Sequence, residues 1–327
     1  MKPILISIAF IICWSSGFVG SLLVGENASP IGLLAWRYIA TAVLLAGVIL
    51  LLRSAKHPAK ARLLPALTRS AWKHQVLMGV LSHAIFLGAV FWASDLAIDP
   101  GITSLVCALQ PILVAAVGAR LWGDPFNFRM AAGLVLGLVA VGLAAGSIDF
   151  SSTSVFGLLL PFVALLGLSA SALLERASDA QGSIVQALAI QTATAAVIFT
   201  GVALAMGDMG VHVNADFVWA MVWLVFLSGI GGYAAYTACL RTMGSTMTSL
   251  LLFVTPPVTS FWTWLMFQQP VNAGQIAGMV LGIVAVALTV NGERRERSNT
   301  RVSDCLCVGV WFTSSRRIGR GMPRLVG

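Results

Sequence analysis

Arg37 is the one Lys or Arg well inside an apolar run of this chain, away from its ends. A guanidinium in hydrocarbon is expensive, and it usually marks a pathway or a buried pair. Snorkelling of the head group to a nearby interface is an equal alternative. His83 is the one histidine well inside a run. It could bind a solute or relay a proton, although a hydrogen-bonded structural histidine is the commoner outcome. Gln110-Pro111 and Thr255-Pro256 form a second constellation. A proline in mid-helix removes a backbone hydrogen bond and kinks the helix. Pro111 and Pro256 are therefore candidate kinks, and Gln110 and Thr255 could present polar groups to a cavity beside them. Paired interruptions of this kind point to a solute site; a packing kink is the alternative. Trp14, Ser15, Trp92, Tyr233 and Tyr236 add aromatic and hydroxyl surface. Each alone is commonly packing. Together they could line a cavity for an amphipathic solute, with Arg37 suiting an anionic group if it faces inward.

Other chemistry is missing. No carboxylate lies deep in a run, and Asp95 is close to the edge of one. The buried Asp/Glu relay of a proton pump is therefore not expected, and Asp95 is the next candidate after His83. There is no phosphate-binding glycine loop. No His/Cys/Asp cluster suggests a metal, and no nucleophile–base pair suggests catalysis. No catalytic residue, metal or cofactor is expected. Cys13, Cys107 and Cys239 lie in apolar runs as small core residues, and Cys305 and Cys307 lie near the C-terminus.

The elements that must hold these residues are membrane helices. The chain is 58% hydrophobic and 10% charged, against about 25% charged in a soluble domain. Ten apolar segments can be marked, roughly 4–23, 31–52, 75–96, 102–122, 130–147, 155–174, 184–206, 217–240, 246–267 and 275–291. Each is near the ~20 residues a helix needs to cross a bilayer. Nineteen of the twenty Lys and Arg residues fall on one side of this arrangement. The positive-inside rule then places both termini in the cytoplasm of a multi-pass inner-membrane protein. Charges so placed argue against a nucleic-acid partner and for the lipid bilayer.

The second half of the chain repeats the first. Thr103-Ser104-Leu105 returns as Thr248-Ser249-Leu250, and Pro111 as Pro256. From Ala93 to Leu143, 16 of 51 positions are identical to those 145 residues later. An offset of 154 aligns Ala42-Val43 with Ala196-Val197 and pairs Arg37 with Gln191. Five spans per half is an odd number, so the second half enters the membrane from the opposite side. The expected fold is all-α: ten transmembrane helices in two inverted five-helix repeats, 1–148 and 149–292. A basic tail at 293–327 would be disordered in the cytoplasm. Gly133-x3-Gly137 and Gly278-x3-Gly282 permit close helix approach, either to neighbouring helices or to a second copy in a homodimer.

Trp14-Ser15-Ser16-Gly17-Phe18, Ala35-Trp36-Arg37-Tyr38 and Trp122-Gly123-Asp124-Pro125 followed by Gly133 resemble motifs of the drug/metabolite transporter superfamily, in its EamA branch. The resemblance covers residues 1–292. It departs at the turn after helix 4, where the family's usual Glu is Asp124 in the first half and Gln269 in the second. What it implies is export of small organic metabolites or drugs around a central cavity. An integral-membrane enzyme would need a polar catalytic cluster at an interface. A membrane scaffold would lack a cavity.

Overall fold

Ser29 and Ser183 start two helices in the same way. Each has its hydroxyl accept the backbone N–H three residues on, Gly32 at 3.0 Å and Gln186 at 3.2 Å. That satisfies one of the donors left orphaned at a helix start. The helices that follow are α2, Pro30–Ser54, and α7, Ile184–Met206. Their first residues stand 154 positions apart. The computed structural model describes residues 2–20, 22–23, 27–54, 64–123, 128–145, 155–177, 183–285 and 287–288. The tail 293–327, Cys305, Cys307, Asp124, Pro125 and the 148/149 boundary lie outside them.

Among the described residues the fold is all-helical. Its remaining elements are α1 (Lys2–Phe18), α3 (Arg69–Asp95), α4 (Pro100–Trp122), α5 (Phe128–Ala145), α6 (Val155–Arg176), α8 (Ala215–Val222 continuing through Trp223–Gly232 to Tyr233–Leu251), α9 (Thr255–Phe267) and α10 (Ala273–Ala285). Among the described residues, six helices are long and apolar enough to cross a membrane: α2, α3, α4, α6, α7 and α8. α1, α5 and α10 include shorter apolar stretches. The apolar segments expected at 217–240 and 246–267 divide differently from expectation. α8 runs on to Leu251, and a single 3₁₀ turn, Leu252–Val254, separates it from α9. Thr242, Thr246 and Thr248 broke up the hydropathy pattern there without breaking the helix.

The irregularities of the helices recur at the offset of 145 residues. α3 widens to π-helix at Gly79–Ile85, and α8 does so at Trp223–Gly232. α4 is broken by a turn at 108–109, after which Gln110–Trp122 begins with Pro111 in its first turn. The 3₁₀ turn before Thr255 and Pro256 is the counterpart. Proline belongs there because its missing N–H is not needed in a first turn. α4 ends at Gly123 with φ 68°, and α9 at Gln268 with φ 53°. Glycine adopts that left-handed conformation freely, whereas glutamine is strained in it.

Packing partners also come in exchanged pairs. α2 lies along α7, and α4 lies against α9. α1 packs on α8 and α9, while α6 packs on α3 and α4. The main core is built from the inner faces of α1, α2, α3, α6, α7 and α8. A smaller core joins α4 to α5, α6 and α10. Gly137 and Gly282 pack within the chain. A Cβ on Gly137 would stand 2.7 Å from Leu109, and one on Gly282 would stand 3.1 Å from Leu105.

Candidate functional site

The widened turn of α3 turns His83 into the interior, where it is buried. π-Bulges often mark functional positions, because they re-aim side chains that an α-helix would stack. Tyr38 Oη on α2 lies 3.0 Å from His83 Nδ1, and Gln191 Oε1 on α7 lies 3.1 Å from His83 Nε2. Gln191 Nε2 donates to Gln75 Oε1 at 2.6 Å. An amide so oriented faces His83 Nε2 with an acceptor, which suits the tautomer protonated on Nε2 that accepts from the tyrosine at Nδ1. Tyr233 stacks on the imidazole with centroids 3.9 Å apart, and its hydroxyl donates to the Ser82 carbonyl at 2.6 Å. A polar layer therefore crosses the core from α2 through α3 to α7, with α8 closing one side.

Arg37 lies next to this layer and is 1% exposed, so it does not snorkel. Its Nη2 donates to Ser228 Oγ on the π segment of α8, at 3.3 Å. Its Nε and Nη1 have no hydrogen-bond partner among the described residues. The Tyr38 and Phe91 rings lie 5.3 and 6.0 Å from the guanidinium carbon. Such ring contacts contribute about 0.5–2 kcal/mol each, less than the several kcal/mol it costs to bury an ion.

Two crevices flank the layer. One is lined by Trp14, Gly17, Phe18, Phe86, Ser228 and Tyr233, together with Leu87 and Val90. The other is lined by Gln75, Ser82, Gln191, Tyr233, Tyr236 and Thr237, and reaches Glu175 and Arg241. Tyr233 is common to both. In the first, Trp14 stacks on Phe86 at 5.7 Å and 10°, and it meets Tyr233 and Tyr236 at 5.1 and 4.9 Å. That crevice holds about 10 Å³ of free space, room for about one water. The helices are closed around it.

The structure brings Trp14, Arg37, His83, Tyr233 and Tyr236 into this one region. Ser15 is buried beside it, its hydroxyl donating to the Ile11 carbonyl at 2.6 Å and reaching the Thr255 carbonyl at 3.4 Å. Gln110 and Thr255 start the re-begun helices after the two breaks. Gln110 Nε2 donates to the Leu168 carbonyl at 3.4 Å, and the Thr255 hydroxyl donates to the Leu252 carbonyl. Neither lines the two crevices. Trp92 stands apart, 40% exposed and edge-on to Phe156. It follows the π segment, on the outer side of the α-helical stretch Phe86–Asp95. Sequence reasoning missed Tyr38, Gln75 and Ser228. Tyr38 adjoins Arg37, and Gln75 is polar near the start of an apolar run, so both carried a signal. Ser228 looked like any small membrane hydroxyl. Asp95 is exposed, whereas Asp99, which caps α4 by accepting from Ile102 N–H at 3.1 Å, is the more buried acid. Burial pushes the Asp99 carboxyl above its ordinary range, against hydrogen bonds from Ile102, Gly101 and Gln275.

Apolar helices closed around a buried polar layer define a multi-pass membrane protein. Residues 1–146 match the EamA-like transporter family, a member of the drug/metabolite transporter superfamily. In fold the chain resembles 27 chains of solved structures. One of them, known as a crystal structure of a protein, aligns with a TM-score of 0.64 at 16% identity, covering 90% of this chain and 99% of that one. That likeness is of fold alone. No curated protein matches the chain.

Proposed function

We propose that the protein is a secondary transporter that exports small organic metabolites or drugs across the cytoplasmic membrane by alternating access. Its architecture would be ten spans in two inverted five-helix repeats, with both termini in the cytoplasm. The EamA match supports the transporter class. The repeated breaks, widened turns and exchanged packing pairs of the two halves support the inverted repeat. The observation that carries the mechanism is Tyr233, which lines a crevice on each side of the polar layer. Two halves of opposite sense can rock about such a layer, and each crevice then opens in turn. The charge pattern puts the Trp14 crevice toward the outside and the Glu175–Arg241 crevice toward the cytoplasm.

Single cysteines at Val90 and Thr237, in a background without other cysteines, test this reading. Val90 should react with an impermeant thiol reagent from the outside and Thr237 from the inside. A transported solute should change the two rates in opposite senses. Reaction of both from one side, or rates that no solute in a broad screen alters, would contradict alternating access.

A further inference from the structure

We infer that Arg37 and Ser228 form the anion-recognition end of the solute site, and that the solute is a small aromatic carboxylate. This deepens the transporter reading and rests on it for the movement of the solute, though not for its binding. The guanidinium is buried, and among the described residues no carboxylate pairs with it. Two of its three nitrogens have no partner there. A buried unpaired cation is destabilising, so it persists where a ligand anion completes it. Ser228 connects this charge to the crevice, since its hydroxyl accepts from Arg37 and also lines the space beside Trp14.

The backbone packs closely at the junction, where only glycine fits beside the polar groups. Gly229 offers no side chain next to Arg37: a Cβ there would stand 3.6 Å from Nη2. Gly17 does the same opposite Ser228, where a Cβ would stand 2.6 Å from Oγ. The planar guanidinium suits the two oxygens of a carboxylate. The rest of the crevice suits a flat apolar body, because Trp14, Phe18, Phe86 and Tyr233 supply ring faces and edges. The present closure leaves no space for a ring, so the solute enters as α1 moves away from α3, inserting where Trp14 now stacks on Phe86.

The test is binding to the purified full-length protein in detergent, read by thermal stabilisation. The probes are isosteric sets: phenylacetate and indole-3-acetate, each against its neutral amide, with sodium chloride as a separate arm. The acids should bind at least about tenfold more tightly than the amides, the discrimination expected when a buried charge is left unpaired. Arg37→Gln should abolish that preference, Arg37→Lys should keep part of it, and Ser228→Ala should weaken acid binding while the protein stays folded. Equal stabilisation by acid and amide, stabilisation by neither, or protection by chloride with no acid preference would overturn the inference. The wild-type comparison needs no variant, so a misfolded Arg37→Gln does not rescue it. Flux separates the two readings. Liposomes that move neutral or cationic solutes while acids fail to bind leave a transporter without this site. Acid binding without flux of any solute leaves the site without a transporter.

Discussion

His83 is held at both ring nitrogens, by Tyr38 and by Gln191, and its imidazole is covered by Tyr233. His83→Ala should leave the Tyr38 hydroxyl and the Gln191 amide short of partners, at a cost of about 1–3 kcal/mol per unsatisfied group. Thermal unfolding of the purified variant in detergent measures that loss. His83→Gln asks a different question, because glutamine keeps hydrogen-bonding capacity but cannot titrate near neutral pH. If a pH gradient drives uphill transport in the wild type and equally in His83→Gln, His83 carries no coupling proton; Asp99, the more buried acid, is then tested next by Asp99→Asn. The aromatic residues divide by position. Trp14→Ala and Tyr236→Ala should slow transport on the order of tenfold, about 1.4 kcal/mol of barrier, with protein still in the membrane. Trp92→Ala should change it by less than about twofold, as expected of an outward-facing residue. Arg37, His83, Trp14 and the two tyrosines were legible because charged and aromatic residues inside apolar runs are conspicuous. Ser228 and Gln75 were not, because the distinction between a partnered and an idle polar side chain lies in three-dimensional packing. Depth alone also grouped Trp92 with residues on a different helix face.

At the scale of the helix, the sequence carried the breaks through Pro111 and Pro256, and the structure places both prolines in the first turn after an interruption. It carried no sign of the widened turns in α3 and α8, since a π-bulge has no composition signature beyond the surrounding helix. The same limit hid the continuity of α8 to Leu251, because threonines weaken hydropathy without ending a helix. The breaks should matter to motion. Pro111→Ala restores a donor and lets the two parts of α4 approach one continuous helix. Amides at 108–113 should then exchange more slowly, and transport should fall as the hinge stiffens. Unchanged exchange and unchanged transport together would reduce Pro111 to a packing residue. Gly123 and Gln268 make a finer comparison at matched ends. Gln268→Gly should stabilise the protein by about 1 kcal/mol, by relieving a left-handed backbone, measurable as a raised Tm.

For the whole molecule, the charge split and the 145-residue echo gave membrane class, orientation of the termini and an inverted repeat as expectations from residues alone. The helical fold and the EamA match over residues 1–146 agree with the class. Orientation is tested by impermeant labels on single cysteines. Asn27, Gly210 and Asn272 should react from outside intact cells, and Lys60 and Ser298 should not. Substrate identity was illegible from sequence because it depends on which side chains meet across a closed crevice. The most direct test of transport reconstitutes the purified protein in liposomes and follows flux of a broad panel of small organic solutes, organic acids included, with and without a pH gradient. Gly17→Trp, whose indole exceeds the free space beside Ser228 and so obstructs the crevice, serves as the blocked control once shown to be folded and inserted. The account predicts saturable flux of at least one solute above protein-free liposomes, lost in Gly17→Trp. Folded, correctly inserted wild-type protein that moves no member of the panel, or flux that the blocking substitution leaves intact, would contradict it.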